Sequence, residues 1–160
     1  MIRSSNKFEK YYAQWLMAIG VTIIMVEIGI LSGWSSPYLA QLTSSDSPLP
    51  LTFDQASWVA SLLNLGRFVG AITGAITVNY FGSKRTLLLT FVLIGSCWAF
   101  TMSADNFIWL YIARTLGGVG LGMTYSCFAL YIGEVALPEI RGAVVSLAMA
   151  GGGSAGMLVS

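Results

Sequence analysis

Long apolar stretches separated by short polar segments repeat along the whole chain. Each stretch approaches the roughly 20 residues that an α-helix needs to cross the hydrocarbon core of a bilayer. The pattern predicts an all-α membrane protein with four complete transmembrane helices and most of a fifth, at residues 14–38, 56–80, 85–104, 106–133 and 143–160. Residues 1–13 are predicted to form a retained tail, because the apolar run after them is too long for a signal peptide and lacks a small-residue cleavage site.

The composition supports this interpretation. The chain is 56% hydrophobic and 9% charged with a mean hydropathy of +0.74, whereas soluble domains carry about 25% charged residues. The net charge of +1 and the lack of a long basic run argue against nucleic-acid binding, which needs a clustered cationic face. We therefore expect the lipid bilayer and a small solute as partners, and no nucleic acid.

The sequence offers few of the parts that enzymatic or metal chemistry requires. It contains no histidine, no P-loop and no zinc-binding motif. Its two cysteines, Cys97 and Cys127, lie within apolar segments and provide neither a disulfide framework nor a metal site. No nucleophile has a base beside it. We expect no catalytic residues, no metal and no cofactor.

The basic residues indicate the orientation of the chain. Six of the eight lie in the N-terminal tail or in the second and fourth connections, namely Arg3, Lys7, Lys10, Lys84, Arg85 and Arg141. The first and third connections contain neither Lys nor Arg. By the positive-inside rule, the N-terminus is predicted to be cytoplasmic.

Two charges lie near the middle of their predicted spans. Glu27 in the first span and Arg67 in the second are each about eleven residues from the outer end of the helix, which places them at a similar depth. A charge inside the bilayer costs about 2.5 to 3.5 kcal/mol on insertion scales, so it faces a partner or a water-filled cavity. We predict that the two residues pair; the alternative is that each separately lines a wet cavity.

The fourth span carries a charge near each end. Arg114 and Glu134 are twenty residues apart, which is about 30 Å on an α-helix and close to the thickness of the bilayer core. Arg114 therefore lies about 10 Å inside the outer face. Its guanidinium is predicted either to extend outward to Asp105 or to hold polar groups of another span.

The second span contains glycine at four-residue spacing, at Gly66, Gly70 and Gly74. Such a stripe of small residues lets the backbones of two membrane helices approach closely. Static packing and a smooth surface for sliding helices both require small residues. The sequence leaves both interpretations open.

Three motifs in order along the chain resemble the sugar porter family of the major facilitator superfamily. The loop after the second span has glycine followed by basic residues, and the fourth span has Arg-x-x-x-Gly-x-Gly-x-Gly. The next loop has glutamate followed seven residues later by Arg-Gly. The matching residues are Gly82, Lys84 and Arg85; Arg114, Gly118, Gly120 and Gly122; and Glu134, Arg141 and Gly142. Together with GEVALPEIRG and GWSSP, they are most similar to the branch that includes insect facilitated trehalose transporters.

The resemblance implies a fold of twelve helices in two six-helix bundles, with the solute site between the bundles. This chain would supply most of the first bundle, and transport would need the missing C-terminal bundle. The resemblance further implies that Lys84, Arg85, Glu134 and Arg141 form a cytoplasmic charge network that closes the carrier on one side. Alternatively, Lys84 and Arg85 only determine topology, and Glu134 and Arg141 form a solvated loop pair.

The resemblance also suggests which residues contact the solute. Helices one, four and five line the cavity in this family, and the polar candidates on the first two are Ser32, Ser35, Ser36, Thr124, Tyr125 and Ser126. Most of these hydroxyls could instead satisfy local backbone carbonyls. Trp34 either stacks on a sugar ring or anchors the helix at the membrane interface.

Proton-coupled relatives have an acid at the position that matches Ser35, so the resemblance favours facilitated diffusion. Many hexose carriers have a sugar-binding glutamine where this chain has Met149, which puts ordinary hexose recognition in doubt. The expected function is passive transport of a sugar such as trehalose or a hexose, across what is expected to be the plasma membrane. The alternatives are an inactive truncated isoform or incomplete gene model, a proton-coupled symporter, or a non-transporting sugar sensor on the same fold.

Overall fold

The computed structural model describes residues 7–43 and 51–160, which fold into α-helices with no strand among them. The helices are α1 (Lys7–Gly33), α2 (Ser35–Leu42), α3 (Phe53–Phe81), α4 (Ser83–Met102), α5 (Phe107–Val135) and α6 (Arg141–Val159). Five segments in the described ranges are long and apolar enough to cross a membrane. The predicted all-α membrane fold is therefore confirmed.

The first predicted span contains a break that its apolar pattern does not show. The candidate membrane segment Gln14–Leu39 runs through the end of α1 at Gly33 into the short helix α2. Trp34 separates the two helices and is the N-cap of α2. At the other end α1 begins at Lys7, so the last residues of the predicted tail are helical. Residues 1–6, which include Arg3, lie outside the described residues.

The chain forms two compact units. The first unit consists of residues up to 33 together with residues 132–160, and the second consists of residues 34–131. Within the first unit, α1 and α6 pack backbone against backbone through glycine. A methyl group added at Gly29 would lie 2.1 Å from the carbonyl oxygen of Gly152, and one at Gly33 would lie 2.4 Å from that of Gly156. Only glycine permits this approach.

Within the second unit, the predicted glycine stripe of α3 packs against α5. Gly66, Gly70 and Gly74 are all buried. A methyl group added at Gly70 would lie 2.2 Å from the carbonyl oxygen of Val119. The stripe is therefore a close contact between two helix backbones, as its spacing predicts.

Local sequence fixes both ends of α3. At the start, Thr52 and Gln55 form a capping box: the Gln55 amide donates to Thr52 Oγ1 at 3.3 Å, and the Thr52 amide donates to Gln55 Oε1 at 3.0 Å. Two otherwise unpaired amides are thereby satisfied. At the end, Gly82 has φ +79° and links α3 directly to α4. A glycine is favoured there because other residues rarely adopt positive φ.

Candidate functional site

Arg114 is the most deeply buried charge in the part of the chain that the structure describes. It lies on the first third of α5 and is 2% exposed. Its Nη1 donates a hydrogen bond of 2.9 Å to the hydroxyl of Ser35, the first residue of α2. Of the two roles predicted for Arg114, the structure shows the second: the guanidinium holds a polar group of another segment.

An aromatic cluster surrounds this hydrogen bond. The guanidinium carbon of Arg114 lies 4.3 Å from the ring centroid of Trp34 in a cation–π contact. Trp34 also stacks on Tyr38 at 4.1 Å and meets the edge of Trp98 at 5.9 Å. At these distances the guanidinium of Arg114 and the ring of Tyr38 lie on opposite faces of the Trp34 indole. Both faces of this ring are therefore covered by neighbouring side chains. The cation–π contact stabilises a cation removed from water, and the ring–ring contacts hold Trp34 in place.

Two guanidinium nitrogens of Arg114 are unsatisfied. Nε and Nη2 are buried and have no hydrogen-bond partner among the described residues. These two atoms lie on the same edge of the planar guanidinium, where their N–H bonds run parallel and form the fork that binds two acceptors or one bridging acceptor. Buried polar groups are nearly always paired. Two buried donors without a partner among the described residues are therefore unusual, and they mark this edge as a candidate binding site.

The three glycines of the fourth-span motif divide between two neighbouring helices. Gly118 and Gly122 face α3: added methyl groups would lie 2.3 Å from the carbonyl oxygen of Leu63 and 2.2 Å from that of Arg67. Gly120 faces α4, where the nearest atom would be Cγ1 of Ile94 at 2.8 Å. The motif therefore packs α5 against both α3 and α4.

Two of the predicted solute contacts form hydrogen bonds with backbone carbonyls. Thr124 is 0% exposed, and its hydroxyl donates to the Gly120 carbonyl at 2.8 Å. The hydroxyl of Ser126 lies 3.0 Å from the Ala71 carbonyl and 3.1 Å from the Gly122 carbonyl. For these residues the geometry favours the alternative in which hydroxyls satisfy backbone carbonyls.

The two predicted mid-membrane charges lie in different units. Glu27 belongs to the first unit and is partly buried, while Arg67 belongs to the second and is exposed. The guanidinium carbon of Arg67 lies 5.4 Å from the ring centroid of Tyr125, which is itself 41% exposed. The pairing of Glu27 with Arg67 stays a prediction. Of the remaining candidates, Ser32 is an exposed residue of α1, and the side chain of Ser36 lies outside the described part of α2.

The two loop motifs lie at helix ends. Gly82 forms the turn between α3 and α4, and the exposed residues Lys84 and Arg85 are in the first turn of α4. Glu134 is exposed in the last turn of α5. Cations at a helix N-terminus and anions at a C-terminus oppose the helix dipole. Helix stability therefore does not explain why these charges are there.

Gln14 holds the connection between α5 and α6, a role that the sequence pattern did not reveal. Its side-chain Nε2 donates to the Val135 carbonyl at 2.9 Å, and its Oε1 accepts from the Leu137 amide at 3.1 Å. Arg141, at the end of the same connection and followed by the exposed Gly142, donates from Nη2 to the Ala136 carbonyl at 3.4 Å. The only available signal was a polar amide at the edge of an apolar span.

Comparison with known proteins places these features in a family. The model of the family described as "Sugar (and other) transporter" matches residues 13–159. "Facilitated trehalose transporter Tret1" of Bombyx mori is 34% identical over 133 residues, covering 83% of this chain and 26% of that protein. The Polypedilum vanderplanki protein of the same name is 33% identical over 133 residues, covering 82% and 26%, and that of Apis mellifera ligustica is 29% identical over 136 residues, covering 84% and 27%.

The chain thus spans about a quarter of the length of these relatives. The resemblance to sugar porters and to insect trehalose transporters that the motifs indicated is confirmed. Because the family match covers nearly the whole chain and the helices have membrane-spanning length, this chain is an integral, multi-pass membrane protein that belongs to the sugar (and other) transporter family.

Proposed function

We propose that the chain forms part of a carrier that moves a sugar by facilitated diffusion, with trehalose as the first substrate to test. The observation that carries the passive mechanism is the Arg114 to Ser35 hydrogen bond of 2.9 Å. Proton-coupled members of the family are expected to have an acid where Ser35 stands. A serine hydroxyl stays neutral at physiological pH, so no proton enters or leaves at this contact.

The names of the relatives support trehalose as the substrate. The match of each relative covers only about a quarter of its length, and alternating access requires two bundles that move against each other. The activity therefore belongs to the chain joined to a second bundle. We propose that the carrier lies in the plasma membrane. A cytoplasmic N-terminus is supported by the distribution of its basic residues.

The exposed charges at the helix ends are proposed to act as the cytoplasmic latch of this carrier. Lys84 and Arg85 in α4 and Glu134 in α5 oppose the dipoles of their own helices, so a partner elsewhere is a better explanation than helix stability. Exposed ion pairs contribute at most about 1 kcal/mol each. A latch built from them can open during each transport cycle.

The test is uptake of radiolabelled trehalose by a chimera in which this chain replaces the aligned segment of the Bombyx mori relative. We expect uptake that is saturable and unchanged when an ionophore collapses the proton gradient. The same measurement on the chain alone should give only background uptake. Uptake that disappears with the gradient would contradict the passive mechanism and direct attention to the mid-membrane carboxyl of Glu27. No uptake of any sugar by a folded chimera would contradict transport itself.

A matched variant tests the role of Ser35. In Ser35→Asp the new carboxylate lies within reach of Arg114 Nη1, so it should form a buried ion pair. We expect trehalose uptake by this variant to become sensitive to outer pH, because transport must then break a pair that protonation weakens. Ser35→Asn, which stays neutral, is the control and should remain insensitive to pH.

A further inference from the structure

The unsatisfied edge of Arg114 is enclosed by the protein and held in a fixed position. Burial, the hydrogen bond to Ser35 and the cation–π contact with Trp34 hold the guanidinium in one orientation. Nη1 is used by Ser35, while Nε and Nη2 have no partner among the described residues. The free edge is therefore a rigid pair of parallel donors rather than a mobile surface side chain.

The charge of the site indicates what would occupy that edge. Among the described residues, the group that hydrogen-bonds Arg114 is a neutral hydroxyl, and the aromatic ring in contact with the guanidinium carries no formal charge. A buried cation without a counter-charge is unfavourable. A neutral acceptor such as a sugar hydroxyl would satisfy the two N–H groups but leave the positive charge uncompensated. A small anion would do both.

We propose that the Nε and Nη2 edge of Arg114 binds a monovalent inorganic anion, with chloride as the probe. The two parallel N–H bonds converge on one bridging anion, and the hydroxyl of Ser35 and the ring of Trp34 keep the guanidinium in place. The anion neutralises the buried charge without contributing a titrating group. This proposal does not depend on sugar transport, because binding is measured without sugar.

The experiment measures equilibrium binding of radioactive chloride to the purified chain in lipid nanodiscs, with gluconate keeping the ionic strength constant. We expect saturable binding to the wild-type chain. Arg114→Gln should lower the chloride affinity by about tenfold to hundredfold, the effect of losing hydrogen bonds to a charged group. Arg114→Lys keeps the charge but not the fork, so it should bind with intermediate affinity.

Arg67→Gln is the matched control. Arg67 is also an arginine of a membrane-spanning helix in the same unit, but it is exposed and lies over Tyr125 at 5.4 Å. Its replacement should leave chloride affinity unchanged. A loss of affinity equal to that of Arg114→Gln would show that chloride responds to overall charge, and would overturn the proposal.

A second measurement keeps the proposal testable if Arg114→Gln does not fold. The thermal unfolding midpoint of the wild-type chain should rise in chloride relative to gluconate at equal ionic strength, because a ligand that binds the folded state stabilises it. Equal midpoints together with no saturable chloride binding to the wild-type chain would refute the anion site. Binding of radioactive trehalose that requires Arg114, in a protein that does not bind chloride, would assign the edge to sugar instead.

Discussion

Each unit contains one helix contact built on glycine, and the two contacts differ in their symmetry. In the contact between α3 and α5, neither helix has room for a side chain at its glycines. A methyl group added at Gly70 of α3 would lie 2.2 Å from the Val119 carbonyl oxygen, and one added at Gly122 of α5 would lie 2.2 Å from the Arg67 carbonyl oxygen. In the contact between α1 and α6, the crowding is unequal and greater at the glycines of α1. A methyl group at Gly29 would lie 2.1 Å from the Gly152 carbonyl oxygen, whereas one at Gly152 would lie 2.8 Å from the Met25 carbonyl oxygen and one at Gly156 would have its nearest atom 3.3 Å away.

The difference separates two kinds of packing. Where both helices supply glycine, each backbone fits into the other, and a side chain on either helix forces the pair apart. Where the crowding is unequal, a methyl group on the less crowded helix requires a smaller movement of its partner. We expect the reciprocal contact of α3 and α5 to be the less tolerant of the two. This expectation can be tested one methyl group at a time.

The largest effect is expected for Gly122→Ala. Its Cβ would lie 2.2 Å from the Arg67 carbonyl oxygen and 2.6 Å from the Ala71 amide nitrogen, and backbone atoms cannot rotate away. We expect a loss of about 3 kcal/mol of unfolding free energy, the upper part of the usual range for overpacking. Reversible unfolding in mixed micelles, followed by circular dichroism, measures it.

Gly120→Ala is the control within the same motif. Its nearest neighbour is Cγ1 of Ile94 at 2.8 Å, the side chain of which can change rotamer at a cost of about 1 kcal/mol. If both alanine variants lost the same stability, the two faces of α5 would be equally rigid. The distinction between backbone and side-chain neighbours would then be wrong.

The reciprocal contact of α3 and α5 was predictable from the sequence, and the unequal contact of α1 and α6 was not. Gly66, Gly70 and Gly74 recur at the spacing of one helix face, which identifies close packing without knowledge of the partner. In α6 the glycines Gly151–Gly153 are consecutive, so they point around the helix and favour no face. Which of them meets α1 depends on a register that only the folded unit fixes.

At the site around Arg114, too, the sequence predicted the need for a contact but not the partner. Its charge, depth and need for a polar partner follow from the cost of burying a guanidinium in an apolar span. The identity of its partner, Ser35, could not be predicted, because the apolar pattern continues through the break between α1 and α2 at Trp34. The bond of Gln14 to the backbone at Val135 and Leu137 joins residues more than 120 positions apart in the chain. Local patterns cannot predict such a contact.

A smaller loss of stability is expected for Gly29→Ala. The new Cβ would lie 2.1 Å from the Gly152 carbonyl oxygen and 3.0 Å from the Gly156 amide nitrogen, so α6 must move away from α1. We expect about 2 kcal/mol of destabilisation, less than at Gly122, because one backbone atom would lie nearer than 3.0 Å to the new Cβ at Gly29 and three would at Gly122. The same reversible unfolding in mixed micelles checks the order; a larger loss here than in Gly122→Ala would reverse the comparison.

Gly156→Ala tests the asymmetry directly. Gly156 is the α6 residue at the same contact between α1 and α6. An added Cβ would lie 3.3 Å from the Gly29 carbonyl oxygen, and a movement of a few tenths of an ångström relieves this close approach. We expect at most about 0.5 kcal/mol of change, measured beside Gly29→Ala under identical conditions. Equal losses in the two variants would mean that the contact is reciprocal after all.

The smallest effect, and the opposite sign, is expected for Gly153→Ala. Nothing lies within 4 Å of a methyl group added at this exposed position of α6, so no packing is disturbed. Alanine loses less conformational entropy than glycine in a helix interior, and the substitution should therefore raise stability by about 0.5 to 1 kcal/mol. A marked loss of stability in the thermal unfolding of this variant would show that Gly153 is needed for a reason other than its contacts with the described residues. The ranking of the five glycines would then not follow from helix packing alone.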